Sequence, residues 1–198
     1  MVSVCPHGLS NCCCVVFSDL CDLTLDPNSA HTNLKLSDNN KKVTRVREQQ
    51  LYPEHQDRFD SWCQIMCSSG LTGRWYWEVQ WSGKVYISVS YRNIQRKGDS
   101  NDCVFGFNPQ SWSLFCSEHG FSVYHNNKRT PLPQSWSSSS GTVGVFVDCP
   151  AGSLSFYTVS SERLIHLHTF SSTFSQSLVP GFWLLTEGSS VSLCPGSE

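Results

Sequence analysis

The sequence predicts an all-β fold, a twisted two-sheet antiparallel β-sandwich. Three observations carry this reading. Apolar and polar residues alternate with period two in many short runs, and the runs are rich in Val, Ile, Phe, Tyr and Trp. Gly, Pro, Asn, Asp and Ser gather between the runs at regular spacing. No segment with helical periodicity exceeds about two turns. Sheets of this kind bury their apolar faces against each other, which makes a sandwich the natural solution.

The organising stretch is Gly73 to Ser90, GRWYWEVQWSGKVYISVS. Trp75, Trp77 and Val79 alternate with Tyr76, Glu78 and Gln80; after Ser82-Gly83, Val85, Ile87 and Val89 alternate with Tyr86, Ser88 and Ser90. The pattern predicts two antiparallel strands of one hairpin. Aromatics on both faces of the first strand place it inside the structure, away from an edge.

Residues 1 to 19 read as an irregular leader. Asp26-Pro27-Asn28 predicts a turn, with Ser29 and Ala30 starting a short helical turn. Leu34–Leu36 and Lys41–Val46 flank the turn-forming Ser37–Asn40 and predict a small hairpin. Gln49–Trp62 is polar, contains a proline and reads as a connector. Gln64–Cys67 is a candidate strand, and Ser68–Gly73 is a turn. Arg92–Asp102 is a charged loop. Cys103–Phe107 and Ser111–Cys116 read as strands about Asn108-Pro109, and Gly120–Asn126 follows the turn at Ser117–His119. Asn127–Gly141 reads as a long loop with a serine run. Thr142–Asp148 and Leu154–Val159 form a second hairpin, and Leu164–Phe170, Leu178–Leu185 and Val191–Cys194 complete the strands.

Composition narrows the function. The chain has 198 residues, 39% hydrophobic and 12% aromatic, which describes a globular protein. A single domain of this size buries roughly 70% of its extended-chain surface and needs neither metal nor disulfide to fold. A net charge of −2 without a basic stripe argues against nucleic acid. No apolar run approaches the ~20 residues of a membrane helix, and the N-terminus lacks the basic leading region of a signal peptide. The eleven cysteines include the adjacent Cys12, Cys13 and Cys14, and others such as Cys103, Cys116 and Cys194 lie in apolar runs. That pattern suits small buried hydrophobes and reduced thiols, hence a cytoplasmic setting. The adjacent Cys12–Cys14 read as reactive or palmitoylatable thiols sooner than as metal ligands, and as neither sooner than as either.

No catalytic or metal constellation emerges. Cys63 and Cys67 make one Cys-x3-Cys and His166 and His168 one His-x-His, on a strand that would put both imidazoles on one face, but structural zinc wants paired knuckles. There is no Gly-x-Ser-x-Gly elbow, phosphate loop or His-Glu-x2-His. Glu78 is the most suggestive carboxylate, and it reads as a half-buried strand residue paired with an arginine or a backbone donor. The expectation is a protein without enzymatic activity, metal or cofactor.

The runs LTLDP (Leu23–Pro27), RFDSW (Arg58–Trp62), WYWEVQ (Trp75–Gln80), SWSLFC (Ser111–Cys116), HNNKRTPL (His125–Leu132), VGVFVD (Val143–Asp148), GSLSFY (Gly152–Tyr157) and PGFWL (Pro180–Leu184) together resemble the PRY-SPRY domain. Their order and spacing fit over residues 20 to 194. The flavour is similar to fish tripartite-motif proteins, NOD-like receptors and stonefish-toxin-like proteins. The resemblance implies a bent, concanavalin-like jelly roll, with a PRY segment at 20–62, a SPRY core at 63–194 and a tail at 195–198. It also implies a non-catalytic, monomeric module that binds a protein or peptide through loops at one end, in innate immunity or in target selection for ubiquitin ligases. A module of a secreted pore-forming toxin is the alternative. One block departs from the family pattern: Val147-Asp148-Cys149-Pro150 stands where leucine-aspartate-tyrosine-glutamate is usual, which puts the family's salt link there in question.

Binding residues concentrate on loops held by rigid scaffolds. Arg92, Asn93 and Arg96 in the charged loop are therefore candidates. The resemblance adds the neighbouring hairpin, with Trp112, Phe115, Phe121 and Tyr124, since aromatics and arginines anchor protein interfaces.

Overall fold

The computed structural model describes residues 23–133, 140–160 and 163–195. The leader reading, the Cys12–Cys14 run, the serine run of the long loop and the last residues of the tail lie outside these. Among the described residues, thirteen strands make two antiparallel sheets, the predicted architecture. The seven-stranded sheet has the order β1 (Leu34–Ser37), β2 (Lys42–Arg45), β13 (Ser190–Leu193), β4 (Arg74–Ser82), β9 (Ser140–Asp148), β10 (Ser153–Ser160) and β11 (Arg163–Ser171). The six-stranded sheet has the order β3 (Gln64–Met66), β12 (Leu178–Leu184), β5 (Val85–Tyr91), β6 (Ser111–Ser117), β7 (Gly120–His125) and β8 (Lys128–Pro131). Between them lies one core, built from alternate residues such as Trp77, Val79 and Trp81 of β4 and Val85, Ile87 and Val89 of β5.

The central stretch corrects the hairpin expectation. β4 pairs with β9 and β13, whereas β5 pairs with β6 and β12. The turn at Gly83 (φ 82°) therefore carries the chain from one sheet to the other. Period-two alternation states which face is buried, and it is blind to which neighbour supplies the hydrogen bonds. Interior placement holds, since β4 is the middle strand of its sheet.

Three smaller readings change. Ser29 ends a turn and Ala30 follows it in irregular backbone, with no helical start there. Cys103–Phe107 is no strand: a short 3-10 turn at Asn101–Cys103 leads into an irregular, buried segment. The predicted long loop begins as β8, joined to β7 through Asn126 (φ 49°) and Asn127 (φ 61°). Asparagine tolerates the left-handed region, and two such residues match the twist of a tight hairpin. The β1–β2 hairpin forms as read, with Asp38, Asn39 and Asn40 all left-handed.

The segment before β3 is welded to the sandwich through Arg58. This guanidinium donates to the carbonyls of Pro27 (2.9 Å), Ala30 (2.5 Å) and Pro53 (2.6 Å) and lies 5.0 Å from the Tyr52 ring. Residues 26–31 also hydrogen-bond along the free side of β3, through Asp26 N–H to Met66 O and His31 N–H to Gln64 O. All six described cysteines carry free thiols.

Candidate functional site

The outer face of the six-stranded sheet is built in two rows. Register places Trp183 beside Tyr86, Tyr86 beside Phe115, Phe115 beside Ser122 and Ser122 beside Pro131. The next row runs Gly181, Ser88, Ser113, Tyr124 and Arg129. Residues two apart on a strand share a face, so both rows point away from the core.

Small residues in the second row leave a trough, and the segment after the 3-10 turn fills it. Phe105 lies over Gly181, and Gly106 (φ 86°) lies against Ser113 and the Tyr124 Cβ. Buried polar groups hold the segment down. Gln64 Nε2 donates to Cys103 O at 2.6 Å, while Gln64 Oε1 accepts the Phe105 N–H at 2.8 Å. Gly106 N–H donates to Ser111 Oγ at 2.7 Å, and Asn108 Nδ2 donates to Val104 O at 2.8 Å. Such satisfied groups make the segment a fixed wall.

That wall sets Phe107 against the first row and completes an aromatic cluster. Tyr86 and Trp183 stack with centroids 4.6 Å apart, and Phe107 and Tyr124 stack at 5.4 Å. Phe115 lies 4.8 Å from Tyr86, and Trp62 meets Trp183 edge-on at 5.4 Å. Tyr86 is buried at the centre. Burial, and then its hydrogen bond with Tyr124, push its phenol well above the usual range, so it stays neutral. Trp62, Phe107, Phe115, Tyr124 and Trp183 are half-buried. At the β6–β7 end a groove of about 310 Å³ opens beside Phe115, lined also by Lys84, His119, Arg129 and Leu132.

The sequence-predicted residues do not form one patch. Phe115 and Tyr124 belong to the aromatic face. Trp112 (2% exposed) and Phe121 (6% exposed) point the other way, into the core. Trp112 stacks on His125 at 4.8 Å, and Phe121 meets Trp81 edge-on at 5.9 Å. Arg92 and Asn93 are exposed at the far end of β5. Arg92 lies six residues beyond Tyr86 along the chain, roughly 20 Å at ~3.4 Å per residue. Arg92 donates to Ser68 O at 2.6 Å. Arg96 lies over the Phe59 ring at 4.7 Å and donates to Arg92 O at 2.7 Å. Burial lowers its pKa. Lys97 Nζ donates to Arg58 O at 2.9 Å, and Gly98 N–H to Asp60 Oδ1 at 2.9 Å. Much of this loop's charge is spent pinning it to residues 55–60.

Sequence reasoning missed Trp62, Tyr86, Phe107, Trp183 and Arg129. Trp183 could have been found by parity, since it alternates with the core residues Phe182 and Leu184. Trp62 and Phe107 lie in irregular segments that carry no such signal.

Other candidate chemistry resolves into structure. Glu78 Oε1 accepts the Tyr76 hydroxyl at 2.7 Å, so its partner is a tyrosine rather than an arginine. Cys63 Sγ lies 3.6 Å from His31 Nδ1, but burial raises the thiol and lowers the imidazole, leaving a neutral pair. A bulge in β11 makes Leu167 an extra residue between the partners of Phe156 and Tyr157. His166 and His168 therefore point to opposite faces, against the expectation. At the departing block, Asp148 keeps a salt link: Arg74 Nε lies 2.9 Å from its Oδ2, while Oδ1 accepts the Ala151 N–H at 2.9 Å.

Comparison with known proteins decides the family. Residues 23–71 match the SPRY-associated (PRY) domain model, and residues 74–197 match the SPRY domain model. The chain belongs to the PRY-SPRY family. It is 40% identical over 163 residues to stonustoxin subunit beta of Synanceia horrida, covering 82% of this chain and 23% of that protein. It is 36% identical to mouse (Mus musculus) tripartite motif-containing protein 16, covering 83% of this chain and 30% of that protein. Among solved structures, the TRIM65 PSpry domain superposes with a TM-score of 0.76 at 32% identity, covering 87% of this chain and 89% of that one. The PRY-SPRY chain thus spans well under half of its full-length relatives.

Proposed function

We propose that this PRY-SPRY domain is a non-catalytic recognition module that binds a polypeptide through the aromatic face of its six-stranded sheet. The observation that carries the reading is the contiguous cluster of Trp62, Phe107, Phe115, Tyr124 and Trp183, each half-exposed on a rigid support. Aromatics that pack on one another while showing their rims give large contact area at little entropic cost, as interface anchors do. The family supports the same reading, since SPRY domains are generally non-catalytic binding modules and tripartite-motif proteins carry them. The finer reading is a cytoplasmic target-selecting module in innate immunity or ubiquitin transfer. The free thiols among the described residues support a reducing compartment.

Stonustoxin similarity favours a second reading, a module of a secreted toxin-like protein. Disulfide-dependent mobility of the native protein on non-reducing gels supports that second reading, and unchanged mobility supports the first. The binding face is tested by placing a photo-crosslinking phenylalanine analogue at position 183 or at position 157, on the outer face of the other sheet. Partner cross-links from position 183 and none from 157 are expected. The reverse pattern overturns the assignment.

A further inference from the structure

The groove at the β6–β7 end adds a charge preference to this face. Its floor is Phe115, with Leu132 and Pro131 along one wall. Arg129 reaches in from the neighbouring row: its Nε and Nη2 both donate to Ser122 Oγ at 3.2 Å, which fixes the guanidinium plane beside the groove. Lys84 lines the opposite side. The acid at this end is Glu118, 3.5 Å from Lys84 Nζ and 3.4 Å from His119 Nε2. Two permanent cations, Lys84 and Arg129, thus line the groove beside one carboxylate, on a chain whose net charge is −2. At about 310 Å³ the groove lies at the small end of ligand sites. It holds one or two side chains rather than a large metabolite.

Resting on the reading of the aromatic face, we infer that the partner is a peptide segment in which an apolar side chain is followed or preceded, within two residues, by a carboxylate. The apolar side chain enters over Phe115, and the carboxylate pairs with Arg129. A planar guanidinium held by a second hydrogen bond suits a carboxylate better than a free lysine does, because its donors are already oriented. Lys84 adds attraction that salt screens.

The test is a phage-displayed library of random dodecapeptides selected on the folded domain. Enriched peptides are synthesised with amidated C-termini and titrated against wild type, Arg129→Gln and Trp183→Ala, with melting curves for all three. Expected are sequences with Asp or Glu within two residues of Leu, Phe or Trp. They bind Arg129→Gln at least fivefold more weakly, with a shallower salt dependence. Peptides that bind only with a free C-terminus place the carboxylate at a chain end. Peptides weakened by Trp183→Ala but not by Arg129→Gln overturn this inference and leave the aromatic face standing. Peptides indifferent to both variants overturn both. Enrichment of sequences without acids, or no enrichment, also overturns the inference.

Discussion

Gly181 is where the binding wall can be perturbed without touching the wall itself. Phe105 lies across this glycine, and a Cβ built there stands 2.6 Å from Phe105 Cζ, 2.9 Å from Cε2 and 3.2 Å from Ile65 O. Cβ atoms do not sit under 3.0 Å from such neighbours, so something must move. The ring has little freedom. It is fully buried, braced edge-on by Phe59 at 5.6 Å, and its own N–H is held by Gln64. Gly181→Ala therefore overpacks the trough, which typically costs about 1–3 kcal/mol. A domain of this size loses about 2–4 °C per kcal/mol, so the melting temperature falls by about 2–12 °C. Differential scanning calorimetry of the purified domain measures this. Phe105→Leu removes the far edge of the ring, so the double variant loses less than the two single losses added together, by at least about 0.5 kcal/mol. A wild-type melting temperature for Gly181→Ala, or strict additivity in the double variant, refutes the seating of Phe105 over Gly181.

Three further outcomes follow from the packing. Trp77 is 5% exposed in the core, and Trp77→Ala costs about 3–5 kcal/mol in chemical denaturation, while partner affinity per folded molecule stays unchanged. Arg96→Ala uncovers Phe59 and costs about 1–2 kcal/mol, while Arg92→Ala, at an exposed site, stays within about 0.5 kcal/mol; paired melting curves distinguish them. Stability also falls on acidification. Burial lowers the His31 pKa, and its Nδ1 accepts the Asn33 N–H at 3.1 Å, so the folded state needs the neutral ring. The unfolded chain then binds the proton first, so this contribution is complete above the ordinary histidine value of about 6.5 and is lost as pH drops from there toward the lowered folded value. Denaturation between pH 7 and pH 5 shows a shallower loss in His31→Gln if this holds, and an equal loss if it does not.

Strands were legible because burial imposes period two. Val143, Val145 and Val147, or Trp77 and Val79, announce a buried face whatever pairs beside them. Pairing was not legible: the same alternation in β4 and β5 fits a hairpin or a crossover between sheets, and only the sheets' other strands decide. The wall escaped for a related reason. VFGF has strand composition, but Gln64 and Asn108 satisfy its backbone, and Gly106 bends it onto Ser113 and Tyr124. On the site, Phe115 and Tyr124 carried the right parity, while Trp112 and Phe121, neighbours by sequence, face the core. Arg96 looked like a contact residue because its charge is visible in sequence and the Phe59 ring beneath it is not.

The central claim is that recognition resides on the aromatic face rather than on the charged loop. The direct measurement is calorimetric titration of the native partner into wild type, Phe115→Ala with Trp183→Ala, and Arg92→Ala with Asn93→Ala, with melting curves confirming equal folding. The account predicts at least tenfold weaker binding for the aromatic pair, about 1.4 kcal/mol, and less than twofold for the loop pair. Unchanged affinity in the aromatic pair, with the loss falling on the loop pair, contradicts it.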